Sequence, residues 1–282
     1  MSKVAIVTDS TAYIPNDILK EYPITVAPLV LIWGNESYED GVDIQPTEFY
    51  TRLKDAKVMP STSQVTPASF QKIFKRLLDE KYDILAILIA EKLSGTIASA
   101  KQAKELFPDA VIEIFDSNST AMAMGFQVLA VARALAKGAS LEECLALAEK
   151  ARDHTGVVFT VDTLEFLRRG GRIGGAAAFL ATALNIKPIL ELRDGRIEAI
   201  EKVRTRKKAL DRLVELVEDR SGGRRPIHLA TLHANAQSDA ERLLETARIK
   251  FGAIESIFSE VSPVIGNHTG PGTVGLAYMA GM

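Results

Sequence analysis

The feature that most constrains this chain is a set of short, continuously apolar runs separated by helical patterns. Residues 4–8, 24–32, 84–90 and 111–115 lack the polar alternation of a half-exposed strand. Such strands must be covered on both faces, which is the condition of a parallel sheet flanked by helices. The intervening segments fit that reading, with helices expected over 15–22, 46–54, 67–80 and 95–107. Thr66 before Pro67 is an N-cap followed by proline at the first helical position. Two further helices, over 120–136 and 141–153, close this half.

The rhythm then changes. A strand is expected over 157–161, a helix over 176–184 and a strand over 189–192. Asp194-Gly195 is a hairpin signal, with 196–203 as the returning strand. A helix over 207–218 and a strand–helix–strand sequence with a Gly-rich C-terminal strand follow. A hairpin implies a mixed sheet. The expected organisation is therefore a parallel, three-layer α/β/α domain over residues 1–156 and a mixed-sheet α/β domain over 157–282. A chain of 282 residues is long enough to bury a core and keep an internal cavity.

Composition narrows the function classes. Lys+Arg is 34 and Asp+Glu is 36, a net charge of −2, whereas general nucleic-acid binders are basic. The single cysteine, Cys144, allows no internal disulfide framework and suits a reducing cytosol. The N-terminus runs directly into a strand without signal-peptide architecture, and no apolar run approaches a membrane span. A cytoplasmic location is expected. His154, His228, His233 and His268 are scattered without metal-ligand spacing, so no metal is expected.

Five segments could carry chemistry. In Lys92-Leu-Ser94-Gly95-Thr96, Ser94 falls at or near a helix N-cap after a strand end. Parallel sheets bind ligands there, and backbone N–H groups favour an anion. Capping alone is the commoner reason for such a serine. Pro60-Ser61-Thr62-Ser63-Gln64 places three hydroxyls before a helix that Thr66 already caps. Hydroxyls suit a carboxylate, although a polar surface loop reads the same way. Pro263-Val-Ile-Gly266-Asn267-His268-Thr269-Gly270-Pro271-Gly272 puts His268 on a constrained turn beside an apolar strand. Leu167-Arg-Arg-Gly170-Gly-Arg172-Ile-Gly-Gly175 is neither a P-loop nor a dinucleotide fingerprint. With Val203-Arg204-Thr205-Arg206-Lys-Lys208 it makes a basic face for an acidic partner. Finally, the helix from Thr120 is apolar on nearly all sides. Its small and flexible side chains, including Ala121, Met124 and Phe126, suit the wall of a tail-shaped cavity, though dense helix–sheet packing is the commoner reason. Asp9 in Thr8-Asp9-Ser10-Thr11 is expected to cap the next helix.

Together these segments resemble the DegV family over essentially the whole chain. The resemblance rests on an ordered set. It comprises Thr8-Asp-Ser-Thr11, Asp40-Gly-Val-Asp43, Thr62-Ser-Gln64, Lys92-Leu-Ser-Gly-Thr96 and Phe115-Asp-Ser117. It continues with Val161-Asp-Thr-Leu-Glu-Phe-Leu167, Gly170-Gly-Arg-Ile-Gly174, Asn185-Ile-Lys-Pro188 and Gly266-Asn-His-Thr-Gly-Pro-Gly272. It implies a two-domain α/β protein with a long-chain fatty acid between the domains and no other cofactor. It implies a binding protein rather than an enzyme. A separate ATP-binding fatty acid kinase subunit phosphorylates the carboxylate, and the acyl-phosphate passes to acceptor enzymes of phospholipid synthesis, with only transient membrane contact.

By the same resemblance, Thr62, Ser94 and His268 contact the carboxylate, with Ser63 and Gly95 as secondary candidates. Arg172 and Arg204 match family arginines at the phosphotransfer or kinase-docking face. A tail of about fifteen methylenes gains on the order of 10 kcal/mol gross on burial. The competing expectation is a Ser/His lipid-ester hydrolase with Ser94 as nucleophile and His268 as base. Against it stands the lack of a Gly-x-Ser-x-Gly elbow around Ser94.

Overall fold

The computed structural model describes residues 3–182 and 186–282. In the first half the elements are β1 (Lys3–Asp9), α1 (Asn16–Glu21), β2 (Ile24–Ala27), β3 (Val30–Trp33), β4 (Glu36–Glu39), α2 (Pro46–Lys54), β5 (Ser61–Ser63), α3 (Pro67–Asp79), β6 (Tyr82–Leu88), α4 (Thr96–Lys104), β7 (Ile112–Asp116), α5 (Ala121–Leu135) and α6 (Leu141–His154). The second half has β8 (Thr155–Thr160), α7 (Glu165–Arg169), a 3-10 segment (Gly174–Thr182), β9 (Lys187–Arg193), β10 (Arg196–Val203), α8 (Arg206–Ser221), β11 (Ile227–His233), α9 (Gln237–Phe251), β12 (Glu255–Glu260), α10 (Pro263–Thr269) and β13 (Val274–Ala280).

The continuous apolar runs form the sheet they imply. Strands β2-β1-β6-β7 pair in parallel in that order. Helices α3 and α4 cover one face, and α5 and α6 the other. The second sheet, β10-β9-β8-β13-β11-β12, is mixed: only β11 and β12 run parallel. Its outer face is covered by α8 and α9, while its inner face packs on α5. The two halves therefore share one helical layer. That position explains α5 directly. It touches a sheet on each side, so its residues from Ala121 to Leu129 are all buried.

Strand alternation divides the second sheet's two faces. In β8, Val157 joins the core shared with the first half, and Val158 joins the core beneath α8. In β11, Ala230 and Leu232 face the first core, and Ile227 and Leu229 face the second.

Two expectations change in the first half. Residues 24–32 are not one strand. Pro28 has no N–H to donate, and the chain breaks there into β2, in the parallel sheet, and β3. Strand β3 centres a small antiparallel sheet, β4-β3-β5, absent from the sequence reading. The hydroxyl segment is accordingly a strand rather than a loop, with Thr62 opposite Leu31. The change of sheet comes at Thr155, one residue before the expected boundary at 156. The helix expected over 176–184 is a 3-10 segment as far as Thr182, and its last two residues, like Asn185, lie outside the described residues. Among the described residues no helix is long and apolar enough to cross a membrane.

Candidate functional site

A pocket lies between the two halves. Thr62, Ser63, Gln64, Ile89, Leu93 and Ser94 line it from the first half, and Val157, Phe159, Leu192, Leu232, Val264 and His268 from the second. Hydroxyls, an imidazole and a guanidinium gather at one part of the lining. Branched aliphatic and aromatic side chains make up most of the rest.

Each polar group reaches the pocket for a local reason. Thr62 is carried by β5, clamped on β3. Ser94 lies in the turn after β6, where the Leu93 and Ser94 N–H groups both donate to Ala90 O. Its Oγ accepts from Thr96 N at 3.3 Å and shares a hydrogen bond with Thr96 Oγ1 at 2.9 Å, so Gly95 is the N-cap and Ser94 stands just before it. Arg172 donates from Nε to Leu93 O at 3.0 Å and from Nη1 to Gly170 O at 2.7 Å. It thereby ties the second half to the Ser94 turn. Lys92 makes a second such crossing, from Nζ to Asp194 O.

His268 sits in the last turn of α10, not on a free turn. Pro263 opens that helix, and Gly270, at φ 78°, ends it. The glycines of this segment serve close packing as well as turning. A Cβ at Gly266 would meet the Tyr50 ring and hydroxyl, and one at Gly170 would overlap His268 Nδ1. The imidazole is thus pressed against the α7 terminus, with Nε2 2.7 Å from Thr62 Oγ1. Its Nδ1 is buried without a hydrogen-bond partner. Desolvation, with Arg172 and Arg169 adding charge repulsion, pushes the His268 pKa down to about 4. The ring is neutral at pH 7. It offers one donor and one acceptor without a resident positive charge.

The start of α10 is held from the first half. Asp40 accepts from Val264 N at 3.1 Å and from Ser10 Oγ at 2.7 Å, and Tyr50 donates to Val261 O at 3.0 Å. Burial pushes the Asp40 carboxyl up to about 6, against hydrogen bonds from Ser10, Val264 and Ser262. Asp9 caps the turn after β1 through Thr11 N and also accepts from Ile89 N at 2.7 Å.

With this geometry in place, the comparisons with known proteins become specific. The model of the DegV family (uncharacterised protein, DegV family) matches residues 3–281. The chain belongs to the DegV family. A DegV domain-containing protein of Streptomyces coelicolor, SCO2569, is 39% identical over 275 residues, 97% of each chain. Among solved structures, a DegV family protein from Thermus thermophilus, described by its fatty acid binding, is 36% identical with a TM-score of 0.93, covering 99% of each chain. DegV from Bacillus subtilis, described as a fatty acid binding protein, is 32% identical with a TM-score of 0.90, covering 99% of this chain and 100% of that one. The two-domain DegV architecture expected from the sequence is the one observed.

The candidate residues of this DegV-family chain divide as follows. Thr62, Ser63, Ser94, His268, Arg172 and Ala121 all line the pocket. Gly95 does not; it caps α4, and the space a side chain would need there is taken by Gln64. Met124 and Phe126 are also absent from the lining. Both are fully buried inside the shared layer, with the Phe126 ring 5.9 Å from that of His228. Their apolar surroundings come from sheets on two sides, not from a cavity. Arg204 is exposed on the turn between β10 and α8 and does not line the pocket. The apolar wall comes instead from Ile89, Val157, Phe159, Leu192, Ile197 and Leu232 among others. Sequence reasoning missed these residues because an inward-facing strand residue looks the same beside a cavity as in a filled core.

The hydrolase expectation lacks its geometry. Ser94 Oγ bonds to Thr96 and His268 Nε2 to Thr62, and among the described residues no carboxylate orients Nδ1. Among the described residues no cluster of His, Cys, Asp or Glu has the grouping of a metal site.

Proposed function

We propose that this chain binds one long-chain fatty acid, with the carboxylate at the Thr62, Ser94, His268 and Arg172 end of the pocket and the tail along its apolar walls. The observation that carries this reading is the pocket's composition. One polar end holds hydroxyls, a neutral imidazole and an arginine, and it opens onto a largely apolar space between the halves. A carboxylate buried without partners costs several kcal/mol, and these donors offset that cost. The fatty-acid-binding relatives named above, with near-complete coverage, support the same ligand. Ser63 borders the same head-group end.

The finer reading is that the protein is a binding subunit rather than an enzyme. It presents the carboxylate to a separate ATP-dependent fatty acid kinase, and acceptor enzymes of phospholipid synthesis take up the acyl-phosphate. Arg172 lies at the pocket and Arg204 on the surface, which suits one for the transferring phosphoryl group and the other for docking. The chain carries no nucleotide phosphate loop of its own. Calorimetric titration of delipidated protein tests the head-group assignment. Thr62→Ala and Ser94→Ala should each weaken binding by about 1.5–3 kcal/mol, the range for a lost charge-assisted hydrogen bond. Unchanged affinity in both variants places the carboxylate elsewhere.

A further inference from the structure

Resting on the fatty-acid reading, we propose that Tyr13 is the end wall of the acyl cavity and sets the longest chain it accepts. Tyr13 lines the cavity between the halves. It also lines a separate outer cleft. Among the described residues it alone belongs to both linings. The tyrosine therefore stands as the partition between two spaces.

Its placement is enforced rather than incidental. The backbone of Tyr13 is left-handed, at φ 57°, a region an aromatic residue seldom occupies without support. That support comes from strand β12 and the start of α10. Ser259 Oγ donates to Tyr13 O at 3.4 Å, and the phenol shares a hydrogen bond with Ser262 Oγ at 3.3 Å. Ser262 is the N-cap of α10, and His268 lies in the last turn of the same helix. Six residues of helix separate them, about 9 Å along the axis, so a long acyl chain follows a bent path between them rather than running straight along α10. The wall and the polar head-group end thus sit at opposite ends of α10, with Val264 and Ile265 lining the space between.

The cavity has a second thin wall, where Val157 and Leu192 also border a cleft containing Arg152, Glu191, Arg193 and Arg220. A methyl terminus pushed through there would meet charges. Beyond Tyr13 it would meet Ile14, Leu19, Val26, Val42 and Phe258, with Asp9, Asp40 and Glu260 among them. Of the two exits, the Tyr13 side is the more apolar and the better suited to an extending acyl chain.

The test compares chain-length preference across variants of the whole protein, using saturated fatty acids of increasing length in competition binding. Tyr13→Gly suits the left-handed backbone and removes the wall. It should raise relative affinity for an acid two carbons beyond the wild-type optimum by roughly tenfold, the value of two newly buried methylenes. Tyr13→Phe should keep the wild-type profile, and Tyr13→Trp should move it to shorter acids. If Tyr13→Gly does not fold, the Tyr13→Trp shift decides alone. An unchanged profile in Tyr13→Gly or, failing that, in Tyr13→Trp overturns the proposal. So does a lengthened preference in Leu192→Ala but not in Tyr13→Gly. Failure of the wild-type protein to bind any acyl chain would instead refute the fatty-acid reading itself.

Discussion

At the scale of single residues, His268 is the most informative group at the site. Its ring is wedged between Gly170 and Thr62, with one nitrogen bonded and the other buried without a partner. Desolvation and the nearby arginines hold its pKa near 4, so at neutral pH the ring is a neutral donor to any ligand it meets. A carboxylate arriving beside it reverses part of that electrostatic balance, because negative charge favours the imidazolium. NMR titration of the His268 ring should therefore give a pKa near 4 in delipidated protein and a higher value in the fatty-acid complex. A pKa unmoved by ligand would separate His268 from the head group. Thr62, Ser94 and His268 were identifiable as chemistry-bearing positions in the sequence. Their convergence followed only from the family resemblance, because β5 joins a sheet that three consecutive hydroxyl residues give no reason to expect.

At the scale of elements, α10 is the device that aims His268. Asp40 holds the Val264 N–H at its start, Tyr50 holds the preceding carbonyl and Gly270 ends it. The Asp40 carboxyl is raised to about 6 from an ordinary 3.8, chiefly by burial. Between those two values the folded state retains a proton that the unfolded state releases, so this group makes stability fall as pH rises from about 4 to about 6. Asp40→Asn should flatten that part of the profile in urea unfolding midpoints. A slope identical to wild type would mean that Asp40 is ionised throughout. The long regular elements were legible from sequence. The Thr66 cap, the Asp194-Gly195 hairpin and the α5 and α6 spans match within a residue or two. What escaped was short or set by tertiary contact. The seven-residue α10 read as a constrained turn because its glycines and prolines signalled turn geometry, whereas Gly266 is there to admit Tyr50.

At the scale of the whole molecule, two sheets share one helical layer, and the pocket lies between the two halves. The same arrangement explains why Met124 and Phe126 resembled cavity residues. A helix packed between two sheets has the composition of a pocket wall without lining one. The halves are also tied by charge. Burial alone would raise the Glu255 pKa, yet His228 and Arg133, the latter on α5, hold it down to about 2. Arg204 lies outside this architecture, exposed beside the second sheet. Arg204→Ala should leave fatty-acid affinity within experimental error of wild type while reducing acyl-phosphate formation by an added fatty acid kinase. Loss of lipid binding in that variant would contradict a surface docking role.

The central claim is that one acyl chain occupies the space between the halves. Mass spectrometry of organic extracts from freshly purified, denatured protein tests it most directly. The expected result is a long-chain fatty acid at close to one per chain. Finding no fatty acid in the extract, together with none retained after addition to the folded protein, would contradict it.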